Sequence, residues 1–528
     1  MSARILKGKE FHPNFDNTSL GEFLFERCEK FADRICQIDA DLDQSETYSS
    51  VKTRTTRVAV NLQKKGITST DVVCSCTNNS LDNSIPVIAA LYLGAKVVNL
   101  DPTLSARNTQ HLLNLVTPRI IFVEEESLQF IEKCINEAKL SCEIIVFGKS
   151  TKYGTFANMT LPCGEEKTFK PSKTDIDDTA IMFFSSGTTG LPKAICHSHR
   201  SFLQMVEITY NSGYDSRLLL HFTTFYWVSG LIMLGRTFVD GTTRVFARTM
   251  EGEKTLRMIE KYKLTSLFVA PIYTYQLTNV PNPERYDLSS FRYLLTGGTP
   301  MSTDQYKKLT QLFPKVQILF AYGMTEVGIL TVFHPEDDKH LIDTKVGSCG
   351  KVASRTLLKI VNPDNEEILG PNQEGEVRGK SGAIMKGYYR NDSAGCFDDD
   401  GFIKTGDIGY YDDDGCVYVI ERMKEMFKYR SWHIVPSSIE AVILEHPDVE
   451  ETVVFGLPRG AEGEVPAACV VLKDGCTIDK EEIEKFVAER VSDREKLRGG
   501  VIFVESLPKT PTGKLIRNEA RKIAIKSL

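Results

Sequence analysis

Ile181-Met182-Phe183-Phe184-Ser185-Ser186-Gly187-Thr188-Thr189-Gly190-Leu191-Pro192-Lys193 changes abruptly from apolar to small and polar. The first four residues form a short continuous apolar run, which reads as a buried strand. The glycines end the strand, so a loop of small side chains follows and a ligand can come close to its backbone. Exposed N–H groups, several hydroxyls and the Lys193 ammonium suit such a loop to a polyphosphate. It is not a Walker A loop, which ends Gly-Lys-Ser/Thr; here Leu191-Pro192 separates the last glycine from Lys193. Taken alone, the stretch also reads as a surface turn with a stray lysine.

Upstream, short apolar strands alternate with helical patterns. Val72-Val73-Cys74 is followed by an apolar helix over Ile85 to Ala95, which turns at Gly94 and feeds a strand at Lys96 to Leu100. Ile120 to Val123 and Ile144 to Phe147 read as further buried strands, and Leu267 to Ala270 and Tyr293 to Thr296 continue the scheme. Strands alternating with helices predict an α/β fold, a parallel sheet with helices on both faces. The weakly charged stretch Leu218 to Gly235 is too short and too dotted with polar residues for a membrane span, and reads as a buried strand and helix. Between Val346 and Tyr418 short strands alternate with turns, which predicts a β-rich subdomain. Its acidic turns, Asp398-Asp399-Asp400-Gly401 and Asp412-Asp413-Asp414-Gly415, resemble calcium loops only superficially. Cys396 and Tyr410 stand where the first ligands would be, so both read as hairpins. After Lys424 a compact α+β segment follows, with helices at Ile439 to Leu444 and Lys480 to Val491 and strands at Thr452 to Phe455 and Ala468 to Leu472.

At 528 residues the chain exceeds one ordinary core, so two or more domains are expected. A net charge of −6 with no long basic block gives no support for nucleic-acid binding. The 13 cysteines are scattered, with no Cys-x-x-Cys pair, and read as reduced thiols. Met1 to Lys9 carries charge and lacks an apolar signal core.

Four more motifs follow the loop in order: Tyr322-Gly323-Met324-Thr325-Glu326, Thr405-Gly406-Asp407, Glu421-Arg422-Met423-Lys424 and Pro511-Thr512-Gly513-Lys514. Together the five resemble the adenylate-forming superfamily of acyl-CoA synthetases, peptide-synthetase adenylation domains and beetle luciferases, in particular the insect luciferase-like and 4-coumarate-like acyl-CoA ligases. The resemblance runs from about Phe23 to Arg521. It implies a large N-terminal AMP-binding domain (1–423) of parallel sheets flanked by helices plus the β-rich subdomain. A small mobile α+β cap domain (424–528) follows, hinged at Lys424.

The resemblance also implies roles. Ser185, Ser186, Gly187, Thr188, Thr189, Gly190 and Lys193 would hold the β- and γ-phosphates of ATP. Ala194 stands where the family usually has glycine, which matters only if the position needs positive φ. Glu326 would be the Mg2+ carboxylate, with Thr325 donating to phosphate; one carboxylate with substrate oxygens and waters suits magnesium. Tyr322, beside Gly323, would stack on adenine, and Gly297-Gly298-Thr299 would line the adenine and acyl pocket. As isolated features these would be core, turn and solvated surface. Asp407 has the acceptor capacity to grip both ribose hydroxyls, with Arg422 beside it. Lys514 would reach the substrate carboxylate and α-phosphate during adenylation, and Lys428 would serve the transfer to coenzyme A. Tyr226-Trp227 fall where beetle luciferases have a histidine pair, and Trp227 would gate the acyl pocket or be an ordinary core residue. Ser431 replaces a glycine expected beside the pantetheine tunnel, and Ser438 replaces a glutamate, so adenylation is better supported than thioester formation. Lys526-Ser527-Leu528 exchanges two residues of the peroxisomal Ser-Lys-Leu address, which leaves peroxisomal or cytoplasmic location open.

Four functions compete at this point. An ATP-dependent acyl-CoA ligase for a fatty or aryl acid leads, with a small-molecule acid as its partner and a monomer as its expected state. A luciferase-like monooxygenase lacks its histidine pair here. A peptide-synthetase loading domain would need a carrier, and few residues follow Lys514. A degenerate binding paralogue is suggested by Ala194 and Ser431, yet Lys193, Glu326, Asp407, Arg422 and Lys514 are all in place.

Overall fold

Strand Thr179–Phe184 carries the apolar run and sits inside an eight-stranded sheet. It pairs in parallel with Lys96–Leu100 and antiparallel with Ala194–Ser198, the strand beyond the loop. Parallel neighbours Val72–Cys76, Ile120–Glu124 and Glu143–Phe147 extend the sheet. Alternate residues of these strands, among them Cys74, Val98, Ile121 and Met182, share one core with helices Ala106–Val116 and Leu128–Glu137. The residues between them are buried as well, so both faces are covered. That is why the strands read as unbroken apolar runs rather than as an alternation.

The structure, a computed structural model, describes residues 4–10, 15, 17–185, 192–299, 301–429, 432–460, 463–509 and 515–527. Ser186 to Gly190, Ser431 and Lys514 lie outside them. The chain divides into two units: Ile5–Leu358 with Gly379–Ile403, and Met1–Arg4 with Lys359–Arg378 and Lys404–Leu528.

The first unit also holds a nine-stranded sheet whose centre is parallel, from Gln317–Met324 through Tyr293–Gly297, Ser266–Phe268 and Leu218–His221 to Thr243–Phe246. Leu267, Leu294 and Ile318 pack with Leu256, Leu277 and Leu309 of the helices that follow the strands. Leu218 to Gly235 is strand Leu218–His221 and the start of helix Val228–Asp240, as expected. Among the described residues no helix is long and apolar enough to cross a membrane.

The β-rich region is less separate than the sequence predicts. Lys351–Val352 pairs with Gly328–Val332, and Gly387–Tyr388 pairs with Ala194–Ser198, so two of its short strands finish the edges of the large sheets. In the second unit, Asp407 to Tyr411 pairs antiparallel with Val417 to Arg422. The acidic turns are hairpins. Asp398 Oδ1 accepts from the N–H groups of Asp400 and Phe402, and Asp412 Oδ1 from those of Asp414 and Cys416. Those carboxylates cap backbone instead of facing a common centre. The C-terminal segment packs Val449–Pro458, Glu464–Leu472 and Val501–Phe503 against helices Pro436–Ile443, Lys480–Ala488 and Arg517–Ser527. The helix expected to reach Val491 stops at Ala488 and closes in a turn, with the Val491 N–H donating to Val487 O at 3.1 Å. All 13 cysteines are free thiols.

Candidate active site

The ends of the phosphate-type loop are fastened to each other. The Ser185 N–H donates to Lys193 O at 2.9 Å, and the Lys193 N–H donates to Ser185 Oγ at 2.9 Å. His111 Nε2 lies 2.9 Å from Pro192 O and fixes the exit. Ala194 opens strand Ala194–Ser198 opposite Phe184, an extended position that asks for no glycine.

Thr325 and Glu326 occupy a tight turn between strands Gln317–Met324 and Gly328–Val332, closed by Val327 N–H to Met324 O at 3.2 Å and by Gly328 at φ +77°. Both carbonyls of the turn are held from outside the hairpin. His197 Nε2–H donates to Thr325 O at 2.8 Å, and the Met385 N–H donates to Glu326 O at 2.7 Å. Burial pushes the His197 pKa down to about 4, so the imidazole is neutral; Nδ1 faces the Ser201 hydroxyl at 3.3 Å. The Tyr388 hydroxyl donates to Glu326 Oε1 at 3.3 Å, and the Lys193 ammonium sits 4.6 Å from the centre of the same ring. Burial and then the Glu326 carboxylate hold the Tyr388 phenol well above its ordinary pKa. The loop lysine and the turn glutamate are thus brought to one tyrosine.

Gly297 and Tyr322 lie at the carboxyl ends of adjacent parallel strands, the edge where ligands bind in open α/β sheets. A Cβ on Gly297 would meet Ala321 O at 2.2 Å, and one on Gly323 would meet Gly328 O at 2.3 Å, so backbone approaches backbone here. Gly298, at φ +85°, has open space before it, and Thr299 follows half-buried. Tyr226 is a core side chain, packed on Phe184 and edge-on to Trp227, its pKa raised to about 12 by burial and then by Asp101. Trp227 is half-buried at the start of helix Val228–Asp240. Among the described residues no three His, Cys, Asp or Glu side chains gather to enclose a metal. A lone carboxylate such as Glu326 suits Mg2+, which keeps waters and phosphate oxygens in its shell.

In the second unit, Asp407 and Arg422 face each other across paired strands, with Arg422 Nε 3.1 Å from Asp407 Oδ1. Gly406, at φ +70° over open space, aims the turn, and the Thr405 hydroxyl ties it to Val377 O at 2.6 Å. Asp407 is buried and Arg422 half-buried. Lys428 lies in strand Phe427–Tyr429, opposite His433. Ser438 is exposed on helix Pro436–Ile443, its hydroxyl donating to Val435 O at 2.7 Å. Arg517 gathers three carboxylates: Glu425 at 3.0 Å, Glu421 at 3.6 Å and Glu440, the last shared with the carbonyl of Val454.

Residues 24–389 match the AMP-binding enzyme family, and residues 438–514 match the AMP-binding enzyme C-terminal domain. The chain belongs to the adenylate-forming, AMP-binding enzymes. It is 31% identical to luciferin 4-monooxygenase of Photinus pyralis, over 98% of this chain and 96% of that one. It is 30% identical to 4-coumarate–CoA ligase 3 of Oryza sativa subsp. japonica, over 96% and 92%. Among solved structures, the luciferase-like enzyme from the nonluminescent Zophobas morio mealworm is 82% identical with a TM-score of 0.78, covering 80% of this chain and 100% of that one. The fold is accordingly that of the adenylate-forming enzymes, with a large N-terminal and a small C-terminal domain.

Sequence reasoning about this AMP-binding enzyme missed His197, Tyr388, Met385 and Arg517. His197 is a buried polar residue directly after the apolar Ala194-Ile195-Cys196, the one local sign of a specific bond. Tyr388 and Arg517 gave no such sign.

Proposed function

We propose that this chain is an AMP-forming acyl-CoA ligase for a fatty or aryl carboxylic acid, with ATP and coenzyme A as co-substrates. The convergence of Lys193 and Glu326 on Tyr388 carries the reading, because a cation and a carboxylate beside a small-residue loop are what a metal-bound triphosphate requires. In the first half-reaction a carboxylate oxygen of the acid bonds to the α-phosphorus of ATP, and the bond to pyrophosphate breaks. Lys193 and the loop hydroxyls neutralise and orient the leaving phosphates. Glu326 would hold Mg2+, which supplies charge neutralisation of the β- and γ-oxygens. Tyr322 and the Gly297-Gly298 edge accept the adenine, while Asp407 and Arg422 take the ribose. In the second half-reaction the coenzyme A thiolate bonds to the acyl carbon and AMP leaves. Lys514 serves the first step and Lys428 the second, through a turn of the cap domain at Lys424.

The luciferase-like reading is the second one. Its support is the 82% identity to an enzyme described as luciferase-like; against it stand that animal's lack of luminescence and the Tyr226-Trp227 pair in place of two histidines. Pyrophosphate release across a panel of carboxylic acids, with and without coenzyme A, separates them. Release that coenzyme A accelerates, with acyl-CoA formed, supports the ligase; light from added luciferin with no acyl-CoA from any acid would reject it. Lys514→Ala should cripple adenylation and spare transfer from supplied acyl-adenylate, and Lys428→Ala the reverse.

A further inference from the structure

We infer that Tyr388 is a positioning residue that keeps Lys193 and Glu326 from neutralising each other before the nucleotide arrives. This rests on the adenylation reading above. The Lys193 ammonium is exposed and the Glu326 carboxylate half-buried, and with Tyr388 removed the two opposite charges would close into a direct pair. Such a pair would have to be broken each time phosphates approach the lysine and a metal approaches the glutamate. Tyr388 offers each of them a weaker partner. Its ring face takes the Lys193 ammonium at 4.6 Å and its hydroxyl donates to Glu326 Oε1 at 3.3 Å. A cation over a ring and a long neutral-donor hydrogen bond are both readily exchanged for phosphate and metal contacts.

The tyrosine is itself fixed by backbone. It lies in the edge strand Gly387–Tyr388, opposite Ile195. The neighbouring N–H groups of Lys386 and Tyr389 donate to Cys196 O and Ala194 O, each at 2.8 Å. The strand that begins just past Lys193 therefore sets the ring, and the Met385 N–H, on the same segment, holds the Glu326 carbonyl at 2.7 Å. One short segment, 385–389, meets both the loop exit and the glutamate turn.

The test removes the spacer and then the partner it separates. In Tyr388→Leu, Lys193 and Glu326 should collapse onto each other. Acetylation of Lys193 by acetic anhydride, read by mass spectrometry, should then slow about fivefold, and metal-free ATP binding by calorimetry should weaken about tenfold. Adding Glu326→Gln to Tyr388→Leu should restore both to about the wild-type values, which a merely structural role for Tyr388 would not do. Tyr388→Phe keeps the ring and should leave Lys193 reactivity within about twofold of wild type. A Tyr388→Leu protein that reacts and binds like wild type, or one that Glu326→Gln fails to rescue, overturns the inference. If Tyr388→Leu does not fold, Glu326→Gln alone decides: Lys193 acetylation should stay within about twofold of wild type, and a larger acceleration would reveal a direct pair in the native protein. Were wild type to bind no ATP, the adenylation reading would fall, and the acetylation rates would still decide the spacer.

Discussion

Glu326 and Arg517 stand at the centres of two polar clusters built in opposite ways. Around Glu326 the fixed points are carbonyls: His197 and Met385 hold the backbone of the turn, and the carboxylate meets the Tyr388 hydroxyl at 3.3 Å. Around Arg517 the side chains do the holding, with three carboxylates on one guanidinium that is 14% exposed and Glu421 only 9% exposed. Buried charge saturated with partners is a fastening, since each group's bonding capacity is consumed inside the protein. The Glu326 turn, by contrast, is positioned through its backbone carbonyls. The contrast separates groups that hold the fold from groups placed to meet something else.

The largest effect expected to test this contrast is on stability. Arg517→Ala should cost about 3–5 kcal/mol in urea unfolding of the second unit, because it leaves buried carboxylates without their cation. A loss under about 1 kcal/mol would make that cluster no stronger than a surface pair. Glu326→Ala should do the reverse. It should slow pyrophosphate release about 10²–10³-fold, or about 2.7–4 kcal/mol, with little change in unfolding. Equal damage to stability in both variants would erase the distinction.

Acid should also act on the two units with opposite sign. Burial lowers the pKa of His197 and His199 to about 4 and, with Arg244 adding to the effect, that of His221 to about 3. A lowered histidine pKa stabilises fully above the unfolded value and is lost as pH falls toward the folded one. Each should therefore cost about 2 kcal/mol between pH 7 and pH 5. Glu440 is raised by burial, against the pull of Arg517, so its contribution is present in acid and lost as pH rises through its folded pKa. Hydrogen exchange from pH 5 to 8 should show the first unit loosening in acid and Arg517–Ser527 with its neighbours tightening; parallel responses would contradict the assignment. The smallest effect concerns Ser431. If the coenzyme A step needs a glycine conformation at 431, a serine there costs about 1 kcal/mol, so Ser431→Gly should speed only that step, by about fivefold in stopped flow. An equal gain in adenylation would make Ser431 an ordinary loop residue.

The parts of this architecture that local sequence encodes were readable. Apolar runs such as Ile181 to Phe184 and Ile120 to Val123 became strands buried on both faces, and the two Asp-rich turns became hairpins because carboxylate and glycine chemistry there acts within a few residues. The remaining errors follow from pairing. Lys351–Val352 and Gly387–Tyr388 looked like parts of one subdomain, but the open edges of the large sheets claimed them. His197 serves a carbonyl 128 residues away, and Arg517 reaches Glu440 and Glu425 across 77 and 92 residues. No pattern within a window of sequence could connect them, since only tertiary packing brings those atoms together.

The glycines at the nucleotide edge have a consequence for how this gene can vary. In a saturation library, positions 297 and 323 should yield only glycine among active clones, since any side chain would strike a backbone oxygen and the strand pairing cannot give way. Positions 298 and 406 stand over open space and object to a side chain only through their positive φ. They should return asparagine and aspartate as survivors. The same amino acid is thus frozen at one pair of positions and exchangeable at the other, so drift toward a new acid or nucleotide can enter through the second pair and not the first.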